Sequence, residues 1–151
     1  MLKKAQKRLY FMQRLKKAGG SISDLKQFYI SVIRPICEYA APVWSTNLTV
    51  ENSRTIENIQ KRAIKIIFPD NHYAFSLKEL KLTTLQERRL DLCKSFFKKI
   101  QNPDDKINHL LVCKEKSKYD LRKDVKYKIP RTRTNRYKNS FIPYALNNFQ
   151  V

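Results

Sequence analysis

LKKAQKRLYFMQRLKKAGG, residues 2–20, is the stretch that decides the fold class. Its apolar residues Leu2, Ala5, Leu9, Met12 and Leu15 follow one another at steps of three, four, three and three. That spacing places them on one face of an α-helix. Lys3, Lys4, Lys7, Arg8, Arg14, Lys16 and Lys17 take the other faces, with no acid among them. Gly19-Gly20 then ends the helix, because glycine tolerates a left-handed cap.

The helical period continues outward. Ser23 is the expected N-cap of a second helix, with Asp24 at its positive end. Leu25, Phe28, Tyr29, Val32, Ile33, Ile36 and Tyr39 form its apolar face, and Pro35 within it predicts a kink or break. Trp44, with Tyr39 and Pro42, closes the segment; corner packing is the plainer role for it and base stacking the sharper one. Thr49 is expected to cap a third helix whose stripe is Ile56, Ile59, Ala63, Ile66 and Ile67, ended by Phe68-Pro69. Ser76 with Glu79 and Thr84 with Glu87 both match the capping-box pattern. The second opens a long helix with Leu90, Cys93, Phe97 and Ile100 inward. Asn102-Pro103-Asp104-Asp105 reads as a turn and residues 107–112 as a short helix. Beyond Cys113 the period is lost and cations dominate. The expected fold is all-α: a helical bundle over residues 1–70, a second helical unit over 71–112, and over 113–151 an extended basic arm ending in an apolar patch at 141–146.

Composition bounds the partners. The chain has 151 residues, a formal net charge of +19 and a pI near 10.0. Such a balance calls for a polyanion, nucleic acid first and a membrane surface second. No apolar run approaches the ~18 residues of a transmembrane helix, and no apolar core follows the basic N-terminus, so no signal peptide is expected. Asn47-Leu48-Thr49 matches a glycosylation sequon but reads as a loop leading into a helix. The only glycines are Gly19 and Gly20, which excludes the spaced glycines of a P-loop or dinucleotide fold. Three widely spaced cysteines, Cys37, Cys93 and Cys113, make no disulfide framework and fit a reducing compartment.

Residues 127–140 interleave cations with tyrosines and with hydroxyl or amide groups. Arg131, Arg133, Arg136 and Lys138 suit phosphate, and Tyr127 and Tyr137 suit stacking on bases. The bland alternative is a solvated tail. On the first helix Lys4, Lys7, Arg8 and Arg14, and on the third Lys61 and Arg62, are further phosphate candidates, against the alternative of a merely solvated face. Asp104-Asp105 is the one adjacent acid pair, and after Pro103 it reads as a polar turn rather than a two-metal carboxylate pair. Cys93, His109 and Cys113 lack paired zinc-ligand spacings. His72 and His109 have no nucleophile at a recognisable spacing. No catalytic residue, metal or cofactor is expected.

Four blocks carry a resemblance: residues 3–19, residues 33–44 (IRPICEYAAPVW), residues 59–68 (IQKRAIKIIF) and residues 133–146 (RTNRYKNSFIPYAL). Together they resemble the thumb and C-terminal region of non-LTR (LINE-type, jockey-like) retrotransposon reverse transcriptases. The resemblance implies a thumb over roughly residues 2–68, whose task is to hold a template–primer by its backbone. The polymerase motif of that family, an aromatic residue, any residue and two aspartates, does not occur in this chain. The resemblance therefore implies a non-catalytic portion of an RNA-directed DNA polymerase polyprotein. Its implied partners are RNA, DNA or an RNA–DNA hybrid, and the polymerase palm of the parent polyprotein, with no membrane; its implied location is nuclear. Two alternatives stand beside it: an interaction fragment packed on that palm, and a decayed retroelement copy without activity.

Overall fold

A computed structural model describes residues 2–113 and 126–150. The fold is all-α, as the period requires; among the described residues the only β pairing is an isolated antiparallel bridge between Cys113 and Tyr127. The helices are α1 (Leu2–Lys17), α2 (Ile22–Phe28), α3 (Arg34–Glu38), α4 (Ala41–Trp44), α5 (Val50–Ile67), α6 (Tyr73–Glu79), α7 (Leu85–Ile100), α8 (Asn135–Lys138) and α9 (Phe141–Asn148). Contacts gather into two compact units: residues 1–41 with 48–89, and residues 42–47 with 90–151. The three consecutive segments read from the sequence are thus drawn differently, with α6 and the first turn of α7 in the first unit.

In the first unit α1 packs along α5. Ala5, Leu9 and Met12 of α1 and Ile56, Ile59, Ala63, Ile64 and Ile67 of α5 are buried. α1 ends as its glycines dictate. Gly19 sits at φ +87°, its N–H donating to the Lys16 carbonyl, and the Gly20 N–H donates to the Leu15 carbonyl, both at 3.0 Å. That pair of bonds is a Schellman cap. A Cβ on Gly20 would meet the Leu15 carbonyl at 3.0 Å, so both glycines serve this one stop.

The N-cap of α2 is Ser21, not Ser23. Ser21 accepts from the Asp24 N–H at 3.2 Å, and Asp24 accepts from the Ser21 N–H at 3.0 Å, which closes a reciprocal capping box. Those Ser21 hydrogen bonds hold the Asp24 carboxyl below its ordinary range. Before Pro35 the helix opens into a π turn, Tyr29–Ile33, closed by Arg34 N–H to the Tyr29 carbonyl. Proline removes a donor and crowds the carbonyl four residues back; the wider turn accommodates both, and Pro35 lies in the first turn of α3. The turn also keeps a ladder in phase. Leu25, Tyr29, Ile33 and Cys37 are all buried at a strict spacing of four. In a regular α-helix at about 100° per residue that spacing drifts by about 40° per step. The π turn, at roughly 80° per residue, takes the drift back. Tyr39, expected on this face, is 79% exposed, because α3 ends at Glu38 and Ala40 adopts φ +50°.

Thr49 caps α5 through the Asn52 N–H at 3.2 Å, as expected. Ser76 is buried inside α6 rather than capping it, and its hydroxyl donates to the His72 carbonyl. Thr84 and Glu87 do form the capping box of α7, at 3.0 and 3.2 Å. Polar anchors complete the unit. Buried Gln60 donates to the Thr83 carbonyl at 2.9 Å, and buried Arg89 donates to the Ser53 hydroxyl at 3.0 Å. Arg88 holds Glu38 through both carboxylate oxygens.

The second unit has its own core of Phe97, Ile100, Leu111, Tyr127, Ala145 and Leu146. Phe96 packs on Phe141 and Phe97 on Phe149, with centroids 5.2 and 6.1 Å apart. The expected turn forms at residues 102–105, and the expected short helix shrinks to a 3-10 turn, Asn108–Leu110. Much of the expected basic arm, residues 114–125, lies outside the described residues. Of residues 126–150, the Tyr127 segment and α9 fold into this unit because their apolar residues complete its core, so the apolar patch expected at 141–146 docks, while Arg131, Arg133 and α8 stay at the surface.

Replacing Gly19 by Ala places a Cβ at positive φ. The expected result is a loss of about 1 kcal/mol in unfolding free energy, read by urea titration.

Candidate nucleic-acid interface

Packing α1 on α5 leaves a groove beside their contact line. Its floor includes Leu9 and Ile66, and its sides carry Gln6, Tyr10 and Gln13 from α1. The charged groups lining it are Lys16, Lys17, Arg62 and Lys65, and no acid lines it. Helix geometry explains the grouping. On α1, Gln6, Tyr10, Gln13 and Lys17 recur at steps of four, three and four, so they share one stripe at about 100° per residue. On α5, Arg62, Lys65 and Ile66 form the facing stripe by the same spacing.

One of the four cations is already engaged. The Lys16 ammonium donates to the Ile66 carbonyl, and to that of Ile67 at 3.4 Å. These are terminal carbonyls of α5 without a further helical turn to bond them, so Lys16 acts as a charged C-cap. Lys17, Arg62 and Lys65 are exposed, and among the described residues none of them is ion-paired.

The cations expected from sequence divide on this geometry. Arg62 lines the groove. Lys7 and Arg14 are exposed and share a stripe with Lys3 and Tyr10, along the groove's outer edge. The Arg14 guanidinium lies 5.9 Å from the Tyr10 ring centroid. Lys4 and Arg8, one turn apart, lie on the other side of the buried stripe and are exposed there. Lys61 lies 5.6 Å from the Tyr73 ring centroid, and the Tyr73 hydroxyl donates to Glu57 at 2.7 Å. Lys61 therefore belongs to the α6 side of α5, not to the groove. Sequence reading missed Tyr10, Lys17, Lys65 and the two glutamines. The signal available for α1 was the polar stripe beside Leu9, read as a face instead of as charges.

In the second unit Arg131, Arg133, Arg136 and Lys138 are exposed, and Tyr137 is 47% exposed. The Tyr127 reading is corrected. Its ring is 3% exposed and sits in the apolar core, while its backbone N–H donates to the Gln150 side chain at 3.0 Å. A ring held there presents no face to a base.

The remaining chemistry-bearing residues are structural in their contacts. Asp105 accepts from the Ile107 N–H at 3.1 Å within the turn. Cys93 is buried beside the Ser45 hydroxyl at 3.2 Å, and His109 Nδ1 lies 2.9 Å from the Lys106 carbonyl. Among the described residues no three His, Cys, Asp or Glu side chains come together as a metal-binding group. Burial pushes the Cys37 thiol up to about 11, with Glu38 adding to the shift. Burial raises Tyr29 and Tyr73 as well, the latter helped by its bond to Glu57. No helix described is long and apolar enough to cross a membrane.

Compared with known proteins, the chain matches no family model, no curated protein and no solved structure.

Two outcomes check this arrangement. Tyr127→Ala should cost roughly 3 kcal/mol or more of stability by leaving a cavity, whereas Tyr137→Ala should change it by less than about 0.5 kcal/mol; chemical denaturation reads both. At pH 8 a thiol reagent should label exposed Cys113 quickly and spare Cys37, whose folded form holds its proton until the pH nears 11. Equal labelling of the two in the folded protein would contradict the burial of Cys37.

Proposed function

We propose that the first unit binds the phosphate backbone of nucleic acid along the α1/α5 groove, without sequence preference, as the non-catalytic C-terminal portion of a retrotransposon reverse transcriptase. The observation that carries the binding half is a groove lined by cations from two helices and by no acid, in a chain of net charge +19. Lys17 on one side and Arg62 with Lys65 on the other meet a polyanion from both walls. Each phosphate neutralised releases condensed counterions, which drives binding at low salt. Contacts of ammonium and guanidinium groups with phosphate position a strand and carry no base information. The exposed Arg131, Arg133, Arg136 and Lys138 of the second unit extend the same chemistry. The retroelement half is supported by the four sequence blocks in order, and by a thumb's task of gripping a duplex through its backbone.

The test is fluorescence anisotropy with single-stranded RNA, duplex DNA and an RNA–DNA hybrid across a salt series. Binding should fall steeply with salt for all three. Replacing Lys17, Arg62 and Lys65 together by Glu should weaken every probe and flatten the log–log salt slope by about two to three. Replacing Lys4 and Arg8 by Glu should cost less. Unchanged binding in the triple variant would remove the groove from the proposal, and absence of binding at low salt would remove the function.

A further inference from the structure

We infer that, where a bound strand has unpaired bases, the α1/α5 groove stacks one of them on Tyr10. This inference rests on the groove binding a phosphate backbone, as proposed above. A groove built only for backbone needs cations; this one also holds an aromatic ring. Tyr10 is 55% exposed although it lines the groove. Its ring is set by two neighbours: Phe11 packs against it at 5.8 Å and 68°, and the Arg14 guanidinium lies 5.9 Å from its centroid. A base laid on such a ring gains aromatic stacking, and the guanidinium adds a cation–π contribution. In a duplex the bases are already stacked on one another and offer no face to Tyr10. Gln6 and Gln13 stand four residues before and three after Tyr10 on the same groove side. Their amides both donate and accept, so they suit the edge of any base.

The groove's α1 wall runs from Gln6 to Lys17, which at ~1.5 Å per residue is about 16 Å. That spans at most on the order of five phosphates at the ~3.4 Å spacing of a fully stacked strand, and fewer where a base leaves the stack. A decamer is therefore an adequate probe.

The experiment uses the full chain with labelled decamers: oligothymidylate, oligouridylate, oligothymidylate annealed to oligodeoxyadenylate as the duplex, and an abasic strand of the same length. Tyr10→Leu should lower affinity for thymidylate, uridylate or both by roughly tenfold. It should leave the duplex and the abasic strand unchanged, and Tyr10→Phe should retain the wild-type pattern. Circular dichroism of each variant checks that α1 persists. If Tyr10→Leu binds every probe as the wild type does, while the Lys17, Arg62 and Lys65 triple variant loses binding, the stacking inference falls and the backbone proposal stands. If no probe binds the wild type, both fall.

Discussion

Burial of the α1 stripe against α5 is the constraint on which the first unit depends. α1 is poorly suited to stand alone. It has no acid in its first turn, where Lys3 and Lys4 oppose the helix dipole, and Lys3–Lys7 and Lys4–Arg8 are like-charge pairs one turn apart. Each such pair costs only a few tenths of a kcal/mol. Leu9 and Met12, fully buried, contribute roughly 1.5–3 kcal/mol apiece. Burial wins, and the helix forms with its charge intact. The same packing sets the rotation of both helices, so the place where Lys17 faces Arg62 and Lys65 follows from where Ala5, Leu9 and Ala63 must go.

Charge at the helix ends is then used in two ways. Lys16 is turned inward to the terminal carbonyls of α5 and is structural in its contacts, whereas Lys17, the next residue, lines the groove and is exposed. Adjacent lysines of identical chemistry thus differ in role because successive helix positions are about 100° apart. In the second unit two tyrosines also differ in role: Tyr127 is pinned by Gln150 and packed in the core, and Tyr137 lies at the surface.

The helices were legible in the sequence wherever local signals stand alone. The Gly19-Gly20 stop, the Thr49 cap and the Thr84–Glu87 box all act through neighbours within a turn or so, whereas of the expected α7 stripe Cys93, Phe97 and Ile100 are buried and Leu90 is exposed, with Arg89 buried beside it. Errors arose where a local pattern had a competitor. Ser21 and Ser23 both precede Asp24, but only Ser21 is three residues before it, the spacing a reciprocal box needs. Ser76 matched the same pattern, yet tertiary packing carried α6 past it. Tyr127 sits among cations in the sequence, and only the fold shows that Leu111, Phe97 and Leu146 need its ring. The groove was half legible: Arg62 and the flanking Lys7 and Arg14 are visible as charges, but their convergence with Lys65 and Lys17 is set by how α1 lies on α5, which no one-dimensional period contains.

The π turn before Pro35 bears on how this chain tolerates changes in length. A wide turn is equivalent to an α-helix with one surplus residue, and the chain on either side keeps its helical phase. Deleting one exposed residue there, such as Ser31, converts the turn to a regular one without rotating α3 against α2. Elsewhere in these helices a single deletion turns the buried stripe of everything downstream by about 100°. Tyr29–Ile33 is accordingly the point in the first unit where a one-residue deletion keeps the helical phase on both sides, although Pro35 then meets the carbonyl crowding that the wide turn relieves.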